Sequence, residues 1–209
     1  VMSIIALIGN KGGAGKTTLA INLATVLHEQ NPIYLLDADP QGSALHWAAM
    51  VDGESIPQVL DATAGVDNLV QQHRDQAQHI LIDCPPQLHA EQTRSALECC
   101  DVAVVPVLPS PLDLWATIAV GDAVAQVQQT NPGLNALLVI NQLEPRTRLS
   151  RLVREAIKEL DIPAAETTLH RRVVYRASVL EGKSVNQMGK PGSVATEEVN
   201  SLLAEVLDA

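Results

Sequence analysis

The chain has 209 residues, 46% of them hydrophobic but only 2% aromatic, with no Phe and a formal net charge of −10 at pH 7. That length holds one α/β domain with a proper core and is short for two, and an interior of Ala, Val, Leu and Ile suits buried parallel strands covered by helices. Cys84, Cys99 and Cys100 lack paired spacing, the six histidines form no ligand-like cluster, and no signal peptide or membrane-length apolar run is present, so neither a disulfide framework, a zinc site nor a membrane span is expected.

Strand-like and helical patterns alternate along the chain. The apolar run Ile4–Ile8 leads into Gly9-Asn10-Lys11-Gly12-Gly13-Ala14-Gly15-Lys16-Thr17-Thr18, and a helix is predicted over Lys16–Glu29, with Leu19, Leu23, Val26 and Leu27 in helical spacing. Strand, glycine-rich turn and helix are the setting of a phosphate loop, G-x-x-x-x-G-K-[ST]. Backbone N–H groups from Gly12 to Thr18 would wrap the phosphates of ATP, Lys16 would reach the β/γ-phosphates, and Thr17 would hold Mg²⁺. A strict match requires glycine at Asn10, and Lys11 is a second lysine where such a loop needs one.

A strand at Ile33–Leu36 ends in Asp37-Ala38-Asp39-Pro40-Gln41. Two carboxylates two residues apart in extended chain point the same way, which directs Asp37 and Asp39 together toward a metal and a γ-phosphate. After a helix at Ser43–Met50, the strand His79–Ile82 runs into Asp83-Cys84-Pro85-Pro86, and an aspartate closing an apolar strand is the usual partner of the phosphate-loop hydroxyl around Mg²⁺. A helix over Glu91–Cys99 and a strand over Val102–Val107 precede Pro109-Ser110-Pro111-Leu112-Asp113, where the prolines forbid helix and stiffen the loop. Asp113 reads equally as a helix-capping acid or a functional one. The helix Leu112–Gln129 and the strand Leu134–Ile140 follow, the latter ending at Asn141, whose amide can satisfy both donor and acceptor of a base edge. Helices over Arg148–Leu160, Val173–Glu181 and Val194–Leu207 complete the chain. The order predicts one domain over residues 1–209, a doubly wound, mostly parallel sheet flanked by helices, with its ligand at the carboxyl ends of the strands.

The run Lys11 to Thr17 resembles K-G-G-x-G-K-[ST], the deviant phosphate-loop signature of the ParA/MinD ATPases. The Asp37–Gln41, Asp83–Pro86 and Ser110–Asp113 runs are similar to further elements of that family, with Cys84 at a place where Thr is usual. The resemblance is strong over residues 3 to about 141 and lies closest to short ParA-type members. It implies an ATPase that works as an ATP-sandwich homodimer. Lys11 would cross to the partner's phosphates and Lys16 would serve its own. Asp39 would position the attacking water, Asp37 and Asp83 would support Mg²⁺, Asn141 would bind adenine, and Asp113 would lie at the dimer face. It further implies a surface to attach to and a ParB-like adaptor that stimulates hydrolysis.

The charge distribution selects the surface. Residues 1–141 hold 4 Lys/Arg against 14 Asp/Glu, residues 142–192 hold 10 against 6, and residues 193–209 hold none against 4. An acidic C-terminal helix is repelled by an anionic bilayer, so no membrane partner is expected. On a helical wheel, Arg148, Arg151, Arg154 and Lys158 share one side, with Leu149, Leu152, Val153, Ala156, Ile157 and Leu160 opposite. A cationic stripe of this kind is the footprint of phosphate binding and points to nonspecific DNA, with Arg171 and Arg172 as a second cluster and Glu155 and Glu159 diluting the first. A phosphate loop at residue 9 leaves no room for a preceding DNA-reading domain, and operator recognition is not expected. The expectation is a cytoplasmic, nucleoid-associated ATPase that segregates a plasmid or chromosome locus or positions a protein cargo such as carboxysomes. The alternatives are a MinD-like membrane ATPase and a metabolic enzyme of the same fold.

Overall fold

Strand residues of alternating parity feed two separate apolar layers, and this organises the molecule. The computed structural model describes residues 2–51, 56–145 and 147–209, with the backbone alone for Arg148 and Leu149. Its elements are β1 (Ser3–Leu7), α1 (Lys16–His28), β2 (Ile33–Asp37), α2 (Ser43–Ala49), β3 (Gln58–Asp61), α3 (Val66–His73), β4 (His79–Asp83), α4 (Glu91–Cys99), β5 (Val102–Val107), α5 (Pro111–Val127), β6 (Asn135–Ile140), α6 (Arg148–Ala156), α7 (Val173–Leu180) and α8 (Ser193–Asp208). The strands form one six-stranded sheet in the order β3-β2-β4-β1-β5-β6, and every neighbouring pair is parallel.

Because successive side chains in a strand point to opposite faces, Ile5, Leu7, Leu35, Leu81, Val104 and Val139 pack with α1, α2 and α8. Ile4, Ala6, Leu36, Ile80, Ile82, Val105 and Leu138 pack instead with α3, α4, α5 and α6. A sheet covered on both faces needs continuous apolar strands, and every residue of β4 and β5 is buried. Cys84 and Cys100 are buried in this interior and Cys99 half-buried. Burial pushes the Cys99 thiol up to about 11, so it behaves as a small hydrophobe.

The predicted doubly wound parallel sheet is present, with three differences. First, β3 and α3 carry no sequence expectation. The edge strand β3 is four residues long with no buried side chain, and α3 follows Gly65 with only Val66 and Val70 buried. Second, the helix expected over Arg148–Leu160 ends at Ala156 and tightens into a 3₁₀ turn, Ile157–Glu159. Third, residues 163–171 run beside β6 without forming a regular strand. Leu138 N–H donates to the Pro163 carbonyl (2.8 Å), Leu169 N–H to Ile140 (2.9 Å), and Leu143 N–H to Leu169 (3.0 Å). This irregular pairing carries residues 168–172 to the carboxyl edge of the sheet.

Candidate nucleotide site

Parallel registry brings the expected residues to one edge. Leu7 at the end of β1 pairs with Asp83 at the end of β4, which in turn pairs with Asp37 at the end of β2. The glycine loop lies above that edge. Gly13 and Gly15 have φ of 81° and 91°, a left-handed conformation that costs glycine little. A Cβ at Gly15 would come within 2.4 Å of the Asn141 amide nitrogen, so this position also needs the absence of a side chain. Asn10, which replaces the first glycine of the strict motif, donates its side-chain amide to the Ala116 carbonyl (2.8 Å) and moors the loop to α5. No side chain caps α1 and no acidic residue lies in its first turn, which leaves its first N–H groups and the positive end of its dipole to an anion.

Lys16 is buried, its ammonium 3.3 Å from the Lys11 carbonyl; burial lowers its pKa, and Asp83 and Asp39 pull the other way. Lys11 is different. Its ammonium turns away from its own loop and pairs with Asp113 Oδ1 at 3.0 Å, with 45% of its side chain exposed. Asp113 lies in the first turn of α5, which Ser110 caps, and its carboxylate also accepts the Ser110 hydroxyl. Burial works to raise its pKa, but Ser110 and Lys11 outweigh it and the net shift is down. Asp113 is thus an acid in the first turn of a helix that Ser110 caps, and it is also the ion-pair partner of Lys11.

The three other carboxylates are not equivalent. Asp37 is buried and its Oδ2 accepts from the backbone N–H groups of Ala44 (2.9 Å) and Leu45 (3.0 Å), which makes it the anchor for the N-terminus of α2; burial still raises its pKa. Asp39 is half-exposed, with one oxygen accepting from the Gln41 N–H at 2.9 Å. Asp83 is 0% exposed, and neither of its oxygens has a hydrogen-bond partner of good geometry. Burial pushes its pKa up to about 7, with the nearby Thr17 hydroxyl and the Lys16 ammonium opposing and Asp37 and Asp39 adding to the rise. A buried, unpartnered carboxylate beside a hydroxyl fits Mg²⁺, which takes one or two protein oxygens and completes its shell with phosphates and water. Among the described residues no group of three or more His, Cys, Asp or Glu side chains is placed to hold a metal by itself.

Asn141 donates its amide to the Ala14 carbonyl at 2.7 Å while its Oδ1 accepts the Gln142 N–H, so it braces the loop. Beyond it a cavity opens, lined by Gly15, Thr18, Leu19, His170, Arg172 and Tyr175 among others. Of its lining, Gly15, Thr18 and Asn141 carry a sequence expectation for nucleotide and Arg171 and Arg172 one for DNA, whereas His170 and Tyr175 carry none, because they lie on an irregular segment and on α7 with no periodic pattern to link them. Arg171 and Arg172 also line it and are already paired, Arg171 with Glu144 (2.8 Å) and Arg172 with Glu198 (2.6 Å).

On α6, Arg151 and Arg154 are exposed, and Arg154 donates to the Thr168 hydroxyl at 3.0 Å. The side chain of Arg148 lies outside the described residues. Lys158 is exposed on the 3₁₀ turn. Leu152 and Ala156, expected on the packed face, are exposed, and Val153 and Ile157 make the contact with the core. No helix among the described residues is long and apolar enough to cross a membrane.

Comparison with known proteins agrees with this geometry. The CobQ/CobB/MinD/ParA nucleotide binding domain matches residues 5–185. The chain is similar to the maintenance of carboxysome distribution protein A of Halothiobacillus neapolitanus, 40% identical, with 97% of this chain and 95% of that protein covered. It is 28% identical to the chromosome-partitioning ATPase Soj of Thermus thermophilus, over 97% of this chain and 94% of that protein. Its fold superposes on an ATP complex of a Cyanothece McdA variant with a TM-score of 0.77 at 17% identity, covering 99% and 96% of the two chains.

Proposed function

This chain belongs to the CobQ/CobB/MinD/ParA nucleotide-binding family, and we propose that it is an ATPase of the ParA type that positions a cargo by cycling between a DNA-bound dimer and a released form. The observation that carries the reading is the division of labour between two loop lysines. Lys16 is buried in its own loop, while Lys11 stands exposed at the rim on Asp113. A cation at the rim is free to exchange its carboxylate for the phosphates of a second copy, as a finger supplied on association does.

Backbone N–H groups of Gly12 to Thr18 hold the phosphates of ATP, with Lys16 neutralising charge between them. Mg²⁺, held by Thr17 and Asp83 with Asp37 and Asp39 behind, would neutralise charge on the departing phosphoryl group. Asp39 is the half-exposed carboxylate of the set and orients the attacking water; Asp37 acts through its anchorage of α2. Lys11 of a second copy completes the charge stabilisation, so turnover waits for the dimer. Asn141 leaves the Ala14 carbonyl or keeps it while its remaining acceptor meets adenine.

Nonspecific DNA is the proposed surface, through Arg148, Arg151, Arg154 and Lys158, and Arg171 at the cavity rim adds to this once Glu144 is displaced. The carboxysome-distribution relative favours carboxysomes, or a protein assembly like them, as cargo; an adaptor that stimulates hydrolysis is part of the proposed cycle. The test is retention on nonspecific DNA with ATP, ADP or no nucleotide. Retention in ATP alone is expected; equal retention in all three would refute the cycle.

A further inference from the structure

Glu198 lies on α8, in the acidic C-terminal helix that the sequence offers only as an unsuitable membrane anchor. In the fold its carboxylate is instead the meeting point of the nucleoside-side wall. It accepts the His170 backbone N–H (3.3 Å) and lies 2.7 Å from His170 Nδ1. Arg172 donates to it through Nη2 (2.6 Å) and Nε (3.2 and 3.3 Å to the two oxygens), and the Tyr175 hydroxyl donates at 3.3 Å. His170, Arg172 and Tyr175 all line the cavity that opens from Gly15, Thr18 and Leu19. A nucleotide whose phosphates rest on Gly12 to Thr18 leaves this cavity for its nucleoside.

We infer that Glu198 is a positioning residue for the nucleoside: from outside the pocket it fixes the Arg172 guanidinium and the Tyr175 ring in the one arrangement that receives a purine. The inference rests on the nucleotide reading above and deepens it. The physical need is clear. An arginine carries large rotamer entropy and would sweep the cavity mouth, and the backbone of residues 168–172 meets β6 and the loop after it only in irregular pairing, with no regular strand to orient the side chains. One carboxylate receiving donors from three side chains removes that freedom before ligand arrives, which is the gain of preorganisation. Its support is rigid, since Val199, Leu202 and Leu203 of α8 are buried in the same core layer as Leu19 and Leu23 of α1. The wall and the phosphate loop are thus held against one another by two packed helices.

The test is calorimetric titration of Mg²⁺-ATP and of Mg²⁺-tripolyphosphate into the unmodified protein, Glu198→Gln, Arg172→Met and the double variant, with melting curves alongside. Charged hydrogen bonds of this kind set the expected scale: Glu198→Gln binds ATP roughly tenfold more weakly. Tripolyphosphate, which lacks a nucleoside, binds within about twofold of the unmodified protein, because the phosphate loop is untouched. The double variant is no weaker than the weaker single one, as two members of one unit require. Unchanged ATP affinity in Glu198→Gln, or parallel loss of ATP and tripolyphosphate, overturns the inference. Should Glu198→Gln fail to fold, Glu198→Asp, which keeps the charge but shortens its reach, takes its place in the same two titrations: weaker ATP with unchanged tripolyphosphate is expected, and unchanged ATP or parallel loss of both overturns the inference. Absence of ATP binding by the unmodified protein would remove the nucleotide reading itself and this inference with it.

Discussion

At the residue scale the least comfortable group is Asp83. Its ordinary pKa near 3.9 in the unfolded chain rises to about 7 when folded, chiefly through burial. Between these values the folded protein keeps a proton that the unfolded chain has lost, so nucleotide-free stability falls as pH rises from about 4 to 7, by up to about 4 kcal/mol. Asp83→Asn is therefore expected to melt several degrees above the unmodified protein at pH 8 without nucleotide, and to lose Mg²⁺-dependent ATP binding. A lower melting temperature at pH 8 would show that the carboxylate has a partner this account lacks. Lys11 gives the opposite pattern, because its pair with Asp113 is half-exposed and contributes at most about 1 kcal/mol. Lys11→Ala should melt almost unchanged while adaptor- or DNA-stimulated turnover drops by about 100-fold or more. Stimulated turnover at the original rate would remove the trans lysine from the mechanism.

At the element scale, α6 is where wheel arithmetic and fold part company. The wheel puts Leu152 and Ala156 on the packed side, yet both are exposed and Val153 and Ile157 make the contact with the core, while the α-helix closes at Ala156 and tightens over Ile157–Glu159. Arg151 and Arg154 stay on the α-helical part and remain exposed, so they are the pair to reverse. Arg151→Glu with Arg154→Glu is expected to lose ATP-dependent DNA retention while ATP affinity holds. Across a salt series, the unmodified protein should show the steeper loss, since each phosphate contact releases a counterion. Retention of the double variant at low salt would move the DNA surface elsewhere. The edge elements β3 and α3 were illegible for a related reason. A strand with no buried residue and a helix with two present neither an alternating nor a helical apolar pattern, and only the rest of the sheet supplies their reason to form.

At the scale of the whole molecule, α5 presents Leu112, Trp115 and Ile118 to solvent, with Trp115 at 67% exposure, on the helix that begins beside the Lys11–Asp113 pair. Large apolar side chains in one stripe are costly to leave wet and suit burial against a second copy across the proposed dimer face. The chain has two tryptophans, and the other, Trp47, is 1% exposed, so emission changes report on Trp115. With Asp39→Ala, ATP should double the mass by light scattering and shift tryptophan emission to the blue. A monomeric mass in saturating ATP would defeat the dimer, and a dimer without the shift would place the face away from α5.

The nucleotide edge was legible because its chemistry is local. Backbone N–H groups, left-handed glycines and strand-end carboxylates act within a few residues of one another, and a parallel sheet then collects strand ends on one side whatever the loops do. Composition and alternating pattern likewise determined a two-faced parallel sheet. What the chain could not announce by itself was the work of long-range partners. Asp37 anchors the N-terminus of α2, Asn141 braces the loop through Ala14, and Glu198 of the acidic C-terminal helix pairs with Arg172. Each role depends on a contact whose free energy exists only after distant segments have packed and excluded water, and proximity of that kind has no period or spacing along the sequence.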